Sequence, residues 1–365
     1  MASRSAERED ARDGDAEDGA LARADALGIS REAVELYQRS DVIDLHVDTF
    51  IWSRVFGYDM TARHGHGVFG ARFYGQSDIP RLLEAGVTGA IWSITTNPLR
   101  TAQGRAAAFE RNVARLLSIF DSVGDRVSLV RSAAEYRAAR AEGKHGAFVG
   151  VQGGNALDHD PSAWARVQDG AVTRVTLVHL SSSTLGSTSS PLAFVDRGLT
   201  AKGREVVELL DENRILVDLA HVSKKGFYDA VDVHDRTKPL IVTHTGVSGV
   251  YPHWRNLDDA QLRAIADSGG TIGVMYHGAF LERSTWRGRA SAIADHVEHI
   301  VKVVGEDHAS LGSDWDGAIT TPRDMPTVLE LPRLVQLFLD RGFSAERIQK
   351  ILAGNFLRTM AALRG

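Results

Sequence analysis

The segment TAKGREVVELLDENRILVDLAH, residues 200–221, contains the unit from which the fold can be inferred. Thr200 is typical of a helix N-cap, and the apolar residues that follow it recur at helical spacing. The run ILVDLAH, which ends at His221, is typical of a strand buried on both faces, because it is almost continuously apolar. A helix followed directly by a buried strand predicts one unit of a parallel α/β sheet.

The same alternation continues in both directions, from about Ile43 to the C-terminus. Helices are predicted after Asp78, after Thr200 and from Asp258, and over Ala106–Ser122, Ala133–Glu142, Ala290–Val304 and most of Thr327–Leu363. Eight strands are predicted: VTGAIWSIT lies near Ile91, and the other seven end at His46, Gln152, His179, His221, His244, Tyr276 and Asp314. This series predicts a (β/α)8 TIM-like barrel. An open doubly wound sheet is the alternative, although no glycine cluster between a strand and a helix has the GxGxxG pattern of dinucleotide-binding folds.

Composition excludes several classes of protein. The 365 residues include no Cys, which excludes a disulfide framework, Cys-ligated zinc and a thiol nucleophile. The formal net charge is −5, of which the first twenty residues carry −4, from three Arg against seven Asp and Glu. The nearly neutral remainder argues against nucleic-acid and membrane partners.

The organisation of the chain is predicted to be simple. The opening residues lack the basic start and apolar run of a secretory signal, and no stretch has the continuous apolar length of a membrane-spanning helix. We therefore expect a cytoplasmic protein with a disordered acidic head at residues 1–20. A single barrel domain with C-terminal helices is expected at residues 21–365.

Histidine and carboxylate side chains fall at the ends of the predicted strands. His46, His179, His221, His244 and Asp314 each occupy the last position of one. The carboxyl ends of barrel strands meet at one rim, so residues that are distant in the sequence can surround one small volume. A single histidine at a strand end is usually structural, but four at one rim predict an active site.

The pair His46 and Asp48 predicts a metal site, because side chains two apart on a strand point to the same face. The alternative for an isolated pair of this kind is a solvated histidine and a turn-capping aspartate. HGH at residues 64–66 is a competing metal pair, but a glycine-rich loop would not hold its geometry. Imidazoles and carboxylates without Cys suit Zn²⁺ or Mn²⁺ in a catalytic site, where the ion activates water and polarises a carbonyl. The implied reaction is hydrolysis of an amide or ester.

Collinear motifs run from about residue 41 to residue 362. They are DLHVDT from Asp44, QSDIPRLLEAGVTGAIWSI from Gln76, VQGGNAL from Val151, LVHL from Leu177, GLTAKGREVVELLDENRILVDLAHVS from Gly198, VTHTGV from Val242, HWRNL from His253, ADHVEHIVKVVGEDHASLGSDWDG from Ala294 and LAGNFLRTM near the end. In this order they resemble the membrane dipeptidase (renal dipeptidase) family of zinc metallopeptidases. The resemblance implies a metal-dependent hydrolase of barrel fold with two zinc ions. Such an enzyme hydrolyses small dipeptides through a metal-activated water, usually as a homodimer.

The resemblance also implies the metal ligands and two substrate contacts. His46 and Asp48 would hold one metal ion, whereas His221 and His244 would hold the other. His179 would face the substrate and help to stabilise the tetrahedral intermediate.

Two further roles are implied near the C-terminal strands. Arg255 would bind the terminal carboxylate of the dipeptide through its planar fork; without the resemblance, a surface ion pair is an equal alternative. Asp314 would lie beside the metals as a ligand or as the proton acceptor for the water, with Asp316 as a structural neighbour. Two long polar loops, residues 52–77 and 181–198, would contact the substrate side chains.

The chain departs from the family at Gln152, where the family has a glutamate that bridges the two metals. An amide supplies one ligating oxygen and no charge, so occupancy of both metal positions should be weakened. Three interpretations follow. The protein is a dipeptidase of reduced rate with one or two metal ions, a hydrolase of a related small amide or lactam, or a catalytically silent homologue that binds a dipeptide-like ligand or a protein partner. The other ligand positions and Arg255 are all present, which favours an enzyme.

Overall fold

The computed structural model describes residues 18–67, 69–96, 100–158, 163, 166–167, 169–191, 193–284, 286 and 288–365. Within these ranges, nine strands form one parallel sheet. In chain order they are β1 (Ile43–Val47), β2 (Gly89–Thr95), β3 (Val127–Leu129), β4 (His145–Gln152), β5 (Arg174–Thr176), β6 (Leu216–Asp218), β7 (Ile241–Thr245), β8 (Thr271–Val274) and β9 (Ala309–Leu311).

Eight of the strands follow one another around a barrel, in the order β1-β2-β4-β5-β6-β7-β8-β9. The two ends of this series meet through backbone hydrogen bonds. The Asp314 N–H donates to the His46 carbonyl (3.0 Å), and the Asp48 N–H donates to the Trp315 carbonyl (2.8 Å). The ring is therefore nearly closed, which confirms the predicted (β/α)8 barrel over the open doubly wound sheet. Closure of the ring also places three candidate site residues at one seam.

β3 was not predicted from the sequence. It pairs with the first half of β4, with Val127 opposite His145, whereas β5 pairs with the second half of β4. Its three residues, VSL, are too short to show a periodicity of their own.

Helices cover the outside of the barrel between the strands. Their bounds are 18–27, Arg31–Gln38, Phe50–Phe56, Ile79–Ala85, Ala102–Ser122, Ala133–Ala141, Ala201–Glu212, Lys224–Val233, Asp259–Asp267, Gly278–Leu281, Ala290–Val304, Pro332–Asp340, Ala345–Gln349 and Asn355–Arg364, with single turns of other helix types at Gly154–Ala156, Val328–Glu330 and Lys350–Gly354. The predicted N-caps are confirmed, because Asp78 accepts from the Arg81 N–H and Thr200 accepts from the Gly203 N–H. Each cap satisfies a backbone donor that has no partner within its helix.

The predictions that His179, His221 and Asp314 end their strands were wrong. Each lies three residues beyond the last residue of its strand, in the loop that follows β5, β6 or β9. At His221 and Asp314 the backbone adopts φ of +64°, a left-handed conformation that cannot continue a strand. All three residues still lie at the carboxyl rim, which is the position that matters for the site.

The N-terminal region is partly described. Residues 1–17 of the predicted acidic head lie outside the described residues. Residues 18–20 belong to the helix 18–27, in which Ala20 and Ala24 pack against Val34. None of the helices in the described ranges combines the length and apolar character needed to cross a membrane.

Candidate metal centre

His46, His244 and Asp314 form the centre of a buried cluster at the carboxyl rim of the barrel. One ligand atom from each lies within 4.8 Å of those of the other two. His46 belongs to β1 and His244 to β7, and their ring centroids are 3.9 Å apart. Asp314 approaches from the loop after β9, with Oδ1 3.8 Å from His46 Nε2. Two imidazoles and a carboxylate at these separations are a suitable set of ligands for a divalent ion.

His221 and Gln152 extend the cluster on the His244 side. His221 Nε2 lies 2.9 Å from His244 Nε2, and Gln152 Nε2 lies 3.0 Å from His221 Nε2. The Ser-rich loop holds His221 in its left-handed conformation, because the Ser189 N–H donates to the His221 carbonyl (2.7 Å) and the Thr188 hydroxyl lies 3.1 Å from the same oxygen. Strained backbone of this kind is common at functional sites.

Asp48 and Thr95 complete the cluster on the His46 side. Asp48 Oδ2 lies 3.5 Å from His46 Nε2. The Thr95 hydroxyl, at the end of β2, lies 3.1 Å from Asp48 Oδ1 and 3.2 Å from Gln152 Oε1. Thr95 was not predicted from the sequence, because a threonine at the end of a strand has no distinctive pattern. The structure thus brings together all of the ligands that the sequence predicted.

Gln152 can present either end of its amide to the cluster. The Thr95 hydroxyl has one proton, which can be donated to Asp48 or to Gln152 Oε1 but not to both. If the amide is rotated by half a turn, Gln152 Nε2 donates to Thr95 and Oε1 faces the imidazole of His221. In that orientation Gln152 is able to ligate a metal ion through its one useful oxygen.

Burial sets the charges in the cluster. It lowers the pKa of His46, His221 and His244, so these rings are neutral at pH 7, the form that binds a metal. Burial raises the pKa of Asp314 well above its ordinary value, and the nearby charge of Asp48 raises it further. Burial also opposes ionisation of Asp48, but the combined interactions with His46, His179 and the Thr95 hydroxyl lower the pKa of Asp48.

Unpartnered buried atoms indicate that the cluster fits a metal ion. His46 Nε2 has no hydrogen-bond partner among the described residues, although it faces both Asp48 and Asp314. The Nε2 atoms of His221 and His244 face each other and can share only one proton. Buried polar atoms without partners are rare in folded proteins, and a metal ion would satisfy these ring nitrogens.

A chain of hydrogen bonds behind His244 prepares it for metal binding. His244 Nδ1 lies 2.9 Å from the Thr243 hydroxyl, which donates to Asp218 Oδ2 at 2.7 Å. Because that hydroxyl has a single proton, its oxygen is left to accept from His244 Nδ1–H. His244 Nε2 then carries no proton and is free to bind a metal, the arrangement usual for metal-binding histidines.

Arg174 lies behind His46 and places the ring proton on the nitrogen that faces the cluster, the opposite of the arrangement at His244. Its Nη2 is 2.9 Å from His46 Nδ1. A guanidinium can only donate, so Nδ1 must accept, and the proton of the neutral ring is then on Nε2, the atom that faces the cluster. Its positive charge also opposes a second cation nearby.

Arg174 is wholly enclosed within the barrel. Its Nη1 donates to the Val151 carbonyl (3.1 Å) and to the Thr176 hydroxyl (2.7 Å), and lies 3.6 Å from Asp218 Oδ2. Gly150 makes room for it, since a Cβ there would lie 2.7 Å from the Arg174 Cζ. Arg174 was not predicted from the sequence, although an arginine within an apolar strand is a signal of a buried, paired charge.

His179 and Arg255 lie at the edge of the cluster. The His179 ring meets the edge of the His221 ring at 4.8 Å, and burial lowers its pKa to about 4. Arg255 is buried, and its Nη2 donates to the His244 carbonyl at 2.8 Å, so it does not form a surface ion pair. Its Nε is buried without a partner among the described residues and is available to an anionic ligand. Burial lowers the pKa of Arg255 to about 10, which leaves it charged at pH 7.

The remaining candidate residues are placed elsewhere. In the competing pair at residues 64–66, His64 stacks on Tyr58 and lies 3.4 Å from Asp78, while His66 is exposed. Asp316 is buried and accepts hydrogen bonds from the Thr49 and Ser77 hydroxyls and from two backbone N–H groups. It thereby ties the loop after β9 to the segment around residue 77.

The chain is similar to one known protein family and to individual proteins. The model of the membrane dipeptidase family, peptidase family M19, matches residues 30–364. An uncharacterised Klebsiella pneumoniae protein from the pqqA 5′ region is 37% identical over 45% of the chain, and the match spans 60% of that protein. The dipeptidase tcpJ of Claviceps purpurea (strain 20.1) is 26% identical over 78% of the chain and 69% of its own length.

Two solved structures are similar over most of both chains. One is the dipeptidase AC, a metallopeptidase of family M19, with 25% identity, a TM-score of 0.78, and coverage of 88% of this chain and 99% of the other. The second is a metallopeptidase from Rhodobacter sphaeroides bound to a phosphinate mimic of the dipeptide L-Ala-D-Ala. It has 25% identity, a TM-score of 0.77, and coverage of 89% and 99%.

Proposed function

The chain belongs to the membrane dipeptidase family of peptidases, and from this premise we propose that it is a metal-dependent dipeptidase that hydrolyses the peptide bond of small dipeptides. The main support is the group of ligand atoms at the carboxyl rim. His46, His244 and Asp314 present ligand atoms within 4.8 Å of one another at the carboxyl rim, beside the unpartnered Nε of Arg255. A metal-binding set next to a buried cation is what cleavage of a short peptide with a free carboxylate requires.

The residues that would hold the metal are those of the cluster. His221 and His244 would bind one zinc or manganese ion, with Gln152 contributing through Oε1, and His46 and Asp48 would bind a second. A bound ion supplies Lewis acidity toward the scissile carbonyl and lowers the pKa of water to ~7. We expect the His244 side to bind its ion more tightly, because its proton arrangement suits ligation whereas that of His46 does not.

Substrate binding would depend on Arg255 and His179. The unpartnered Nε of Arg255 would donate to the terminal carboxylate, and the bond from its Nη2 to the His244 carbonyl fixes the orientation of the guanidinium. His179, neutral at pH 7, would donate a hydrogen bond to the oxygen that becomes negatively charged during attack.

Asp314 would accept the proton of the attacking water. Its carboxylate lies at the centre of the cluster, next to His46 and within the electrostatic reach of Arg255. A carboxylate held in this position can pass the proton on to the leaving amine.

A second candidate function is hydrolysis of a related small amide or lactam. Gln152 and Arg174 favour it, because a neutral amide beside His221 and a buried guanidinium behind His46 leave this site less negative than one with a bridging carboxylate. A catalytically silent, ligand-binding homologue would retain the cluster without turnover.

Metal analysis and a dipeptide panel test the proposal. Protein purified without chelator is expected to contain between one and two equivalents of a zinc-like metal and to hydrolyse L,L or L,D dipeptides, with activity lost on chelation and regained on zinc addition. If elemental analysis finds no metal even after reconstitution, both hydrolase functions are rejected. If metal binds but no dipeptide is cleaved, the amide or lactam function is preferred.

The chain is further proposed to act in the cytoplasm, with residues 21–365 as one catalytic domain and as a homodimer. The family resemblance supports the homodimer. Light scattering of the purified protein would measure the mass in solution, and a monomer would exclude the dimer.

A further inference from the structure

A cavity of about 400 Å³ lies beside the metal centre. It is bounded by the helix Phe50–Phe56, which follows β1, and by the helix Ala102–Ser122, which follows β2. Thr95 and Thr96, at the end of β2, form its floor. Because the Thr95 hydroxyl lies 3.1 Å from Asp48 Oδ1, only Thr95 would separate a molecule in this cavity from that predicted metal ligand.

Five arginines line this cavity, and no aspartate or glutamate is present among its described lining residues. Arg105, Arg111 and Arg115 come from the longer helix, Arg54 comes from the shorter helix, and Arg100 precedes the longer one. We call this cavity the arginine pocket. A concave site lined by one sign of charge concentrates ligands of the opposite sign.

The guanidinium groups of the arginine pocket are poorly neutralised by the protein. Among the ion pairs of the described residues, only Arg105 reaches a carboxylate, that of Asp158 at 3.8 Å. Arg115 donates instead to the Ser53 carbonyl at 2.8 Å. The Nε of Arg54 is buried with no hydrogen-bond partner, and burial lowers the pKa of this group. Arg54 is half-buried and Arg100, Arg111 and Arg115 are exposed, so these guanidinium groups are accessible to an anion supplied from outside.

The arginine pocket lies across the barrel mouth from Arg255. Arg255 follows β7, which is separated from β2 by half of the ring of eight strands. A dipeptide whose terminal carboxylate is bound by Arg255 therefore extends its N-terminal residue toward β1 and β2. Thr95 belongs both to the cavity lining and to the cluster, so the side chain of that residue would reach the arginine pocket past Thr95.

We propose that the arginine pocket binds an acidic side chain on the N-terminal residue of the substrate, so that the preferred dipeptides begin with Glu or Asp. This inference rests on the proposed dipeptidase function. Carboxylate and phosphate share the chemistry that arginine recognises, so the test includes inorganic phosphate as a free anion.

The test compares L-Glu-L-Ala with its uncharged analogue L-Gln-L-Ala. For the zinc-loaded enzyme, kcat/KM for L-Glu-L-Ala is expected to exceed that for L-Gln-L-Ala by roughly 10- to 100-fold, the effect of one or two charge-assisted hydrogen bonds. The Arg54→Gln and Arg111→Gln variants should each lower this ratio by about tenfold. Arg111 is exposed, so its replacement keeps the test valid if Arg54→Gln does not fold. Arg137→Gln, a change of the same kind at an exposed position outside the pocket, should leave the ratio unchanged.

The outcomes separate this inference from the proposed function. Calorimetry measures binding of both dipeptides whether or not they are cleaved. Tighter binding of L-Glu-L-Ala that is lost in Arg54→Gln supports the pocket even if no dipeptide is hydrolysed, which would reject only the dipeptidase. An unchanged ratio in both variants overturns the inference. So does a preference for L-Ala-L-Glu over L-Glu-L-Ala, or phosphate binding that does not compete with L-Glu-L-Ala.

Discussion

The two histidines at the centre of the cluster have ring centroids only 3.9 Å apart, yet they are held from behind in opposite ways. His244 donates through Thr243 toward the carboxylate of Asp218, whereas His46 accepts from the guanidinium of Arg174. The first arrangement leaves Nε2 free for a metal, and the second places a proton on it. We therefore expect residues outside the predicted ligand set to determine which half of the cluster binds a metal ion more tightly.

The largest effect is expected from removal of His244, the ligand that is better prepared for metal binding. His244→Ala is expected to lower kcat/KM for dipeptides by about 10³-fold or more and to abolish tight metal binding, because the better-prepared ligand is lost. Elemental analysis and steady-state kinetics measure both effects. His66→Ala, which removes an exposed histidine outside the cluster, serves as the control and should behave as the unmodified protein. Full metal content in His244→Ala would show that the His46 side is the stronger one.

A carboxylate at position 152 should strengthen metal binding on the His46 side of the cluster. Gln152→Glu is expected to raise the metal content toward two equivalents and to tighten the weaker site by roughly 10- to 100-fold, because a carboxylate offsets the repulsion between two dications. Dipeptidase activity should rise with it. Arg174→Gln should act in the same direction by removing the cation behind His46. An unchanged metal affinity in both variants would mean that charge does not limit this site.

Breaking the hydrogen bonds that link His244 through Thr243 to Asp218 should weaken metal binding on the His244 side of the cluster. Thr243→Val removes the hydroxyl between His244 Nδ1 and Asp218 at nearly constant volume. We expect metal affinity to fall by about tenfold, as for other losses of the groups that orient metal-binding histidines. Thr271→Val is the matched control, because Thr271 is equally buried but bonds to Asn355 and Thr359 instead. Equal affinities in the two variants would contradict the role given to Thr243.

The smallest effect is expected on the pH dependence of the free energy of unfolding, through His296, a buried histidine outside the cluster. His296 Nδ1 accepts from the Val247 N–H (2.8 Å), and Nε2 lies 2.9 Å from the Leu281 carbonyl, so both nitrogens are satisfied by the neutral ring. Burial lowers its pKa to about 4. Between pH 6.5 and 4 the unfolded state binds a proton that the folded state does not, so the free energy of unfolding falls as the pH falls.

One such group contributes at most about 1.4 kcal/mol per pH unit in this range, and the loss levels off below pH 4. His296→Gln has a side chain that donates and accepts without titrating. Chemical denaturation at several pH values should show a flatter acid decline for this variant. A decline as steep as that of the unmodified protein would show that His296 titrates normally.

The sequence allowed the architecture to be predicted because a parallel barrel repeats one simple pattern. Buried strands are continuously apolar and the helices between them carry N-caps such as Asp78 and Thr200, so both are visible locally. The three-residue strand β3 escaped because it is too short to be periodic. The strand ends near His179, His221 and Asp314 were misplaced because left-handed turns depend on the loops that hold them, such as the contacts of Thr188 and Ser189 with His221.

The sequence by itself determined the barrel and which side chains are able to bind a metal, because both follow from residue type and spacing along the chain. Only the tertiary structure decided how those side chains are prepared. Thr95 meets Gln152 through strand pairing, Arg174 reaches His46 across the barrel, and Asp218 reaches Thr243 from another strand. The arginine pocket depends on the packing of two helices. Hydrogen-bond direction and electrostatic interaction depend on distances in space, which no pattern of residues along the chain specifies.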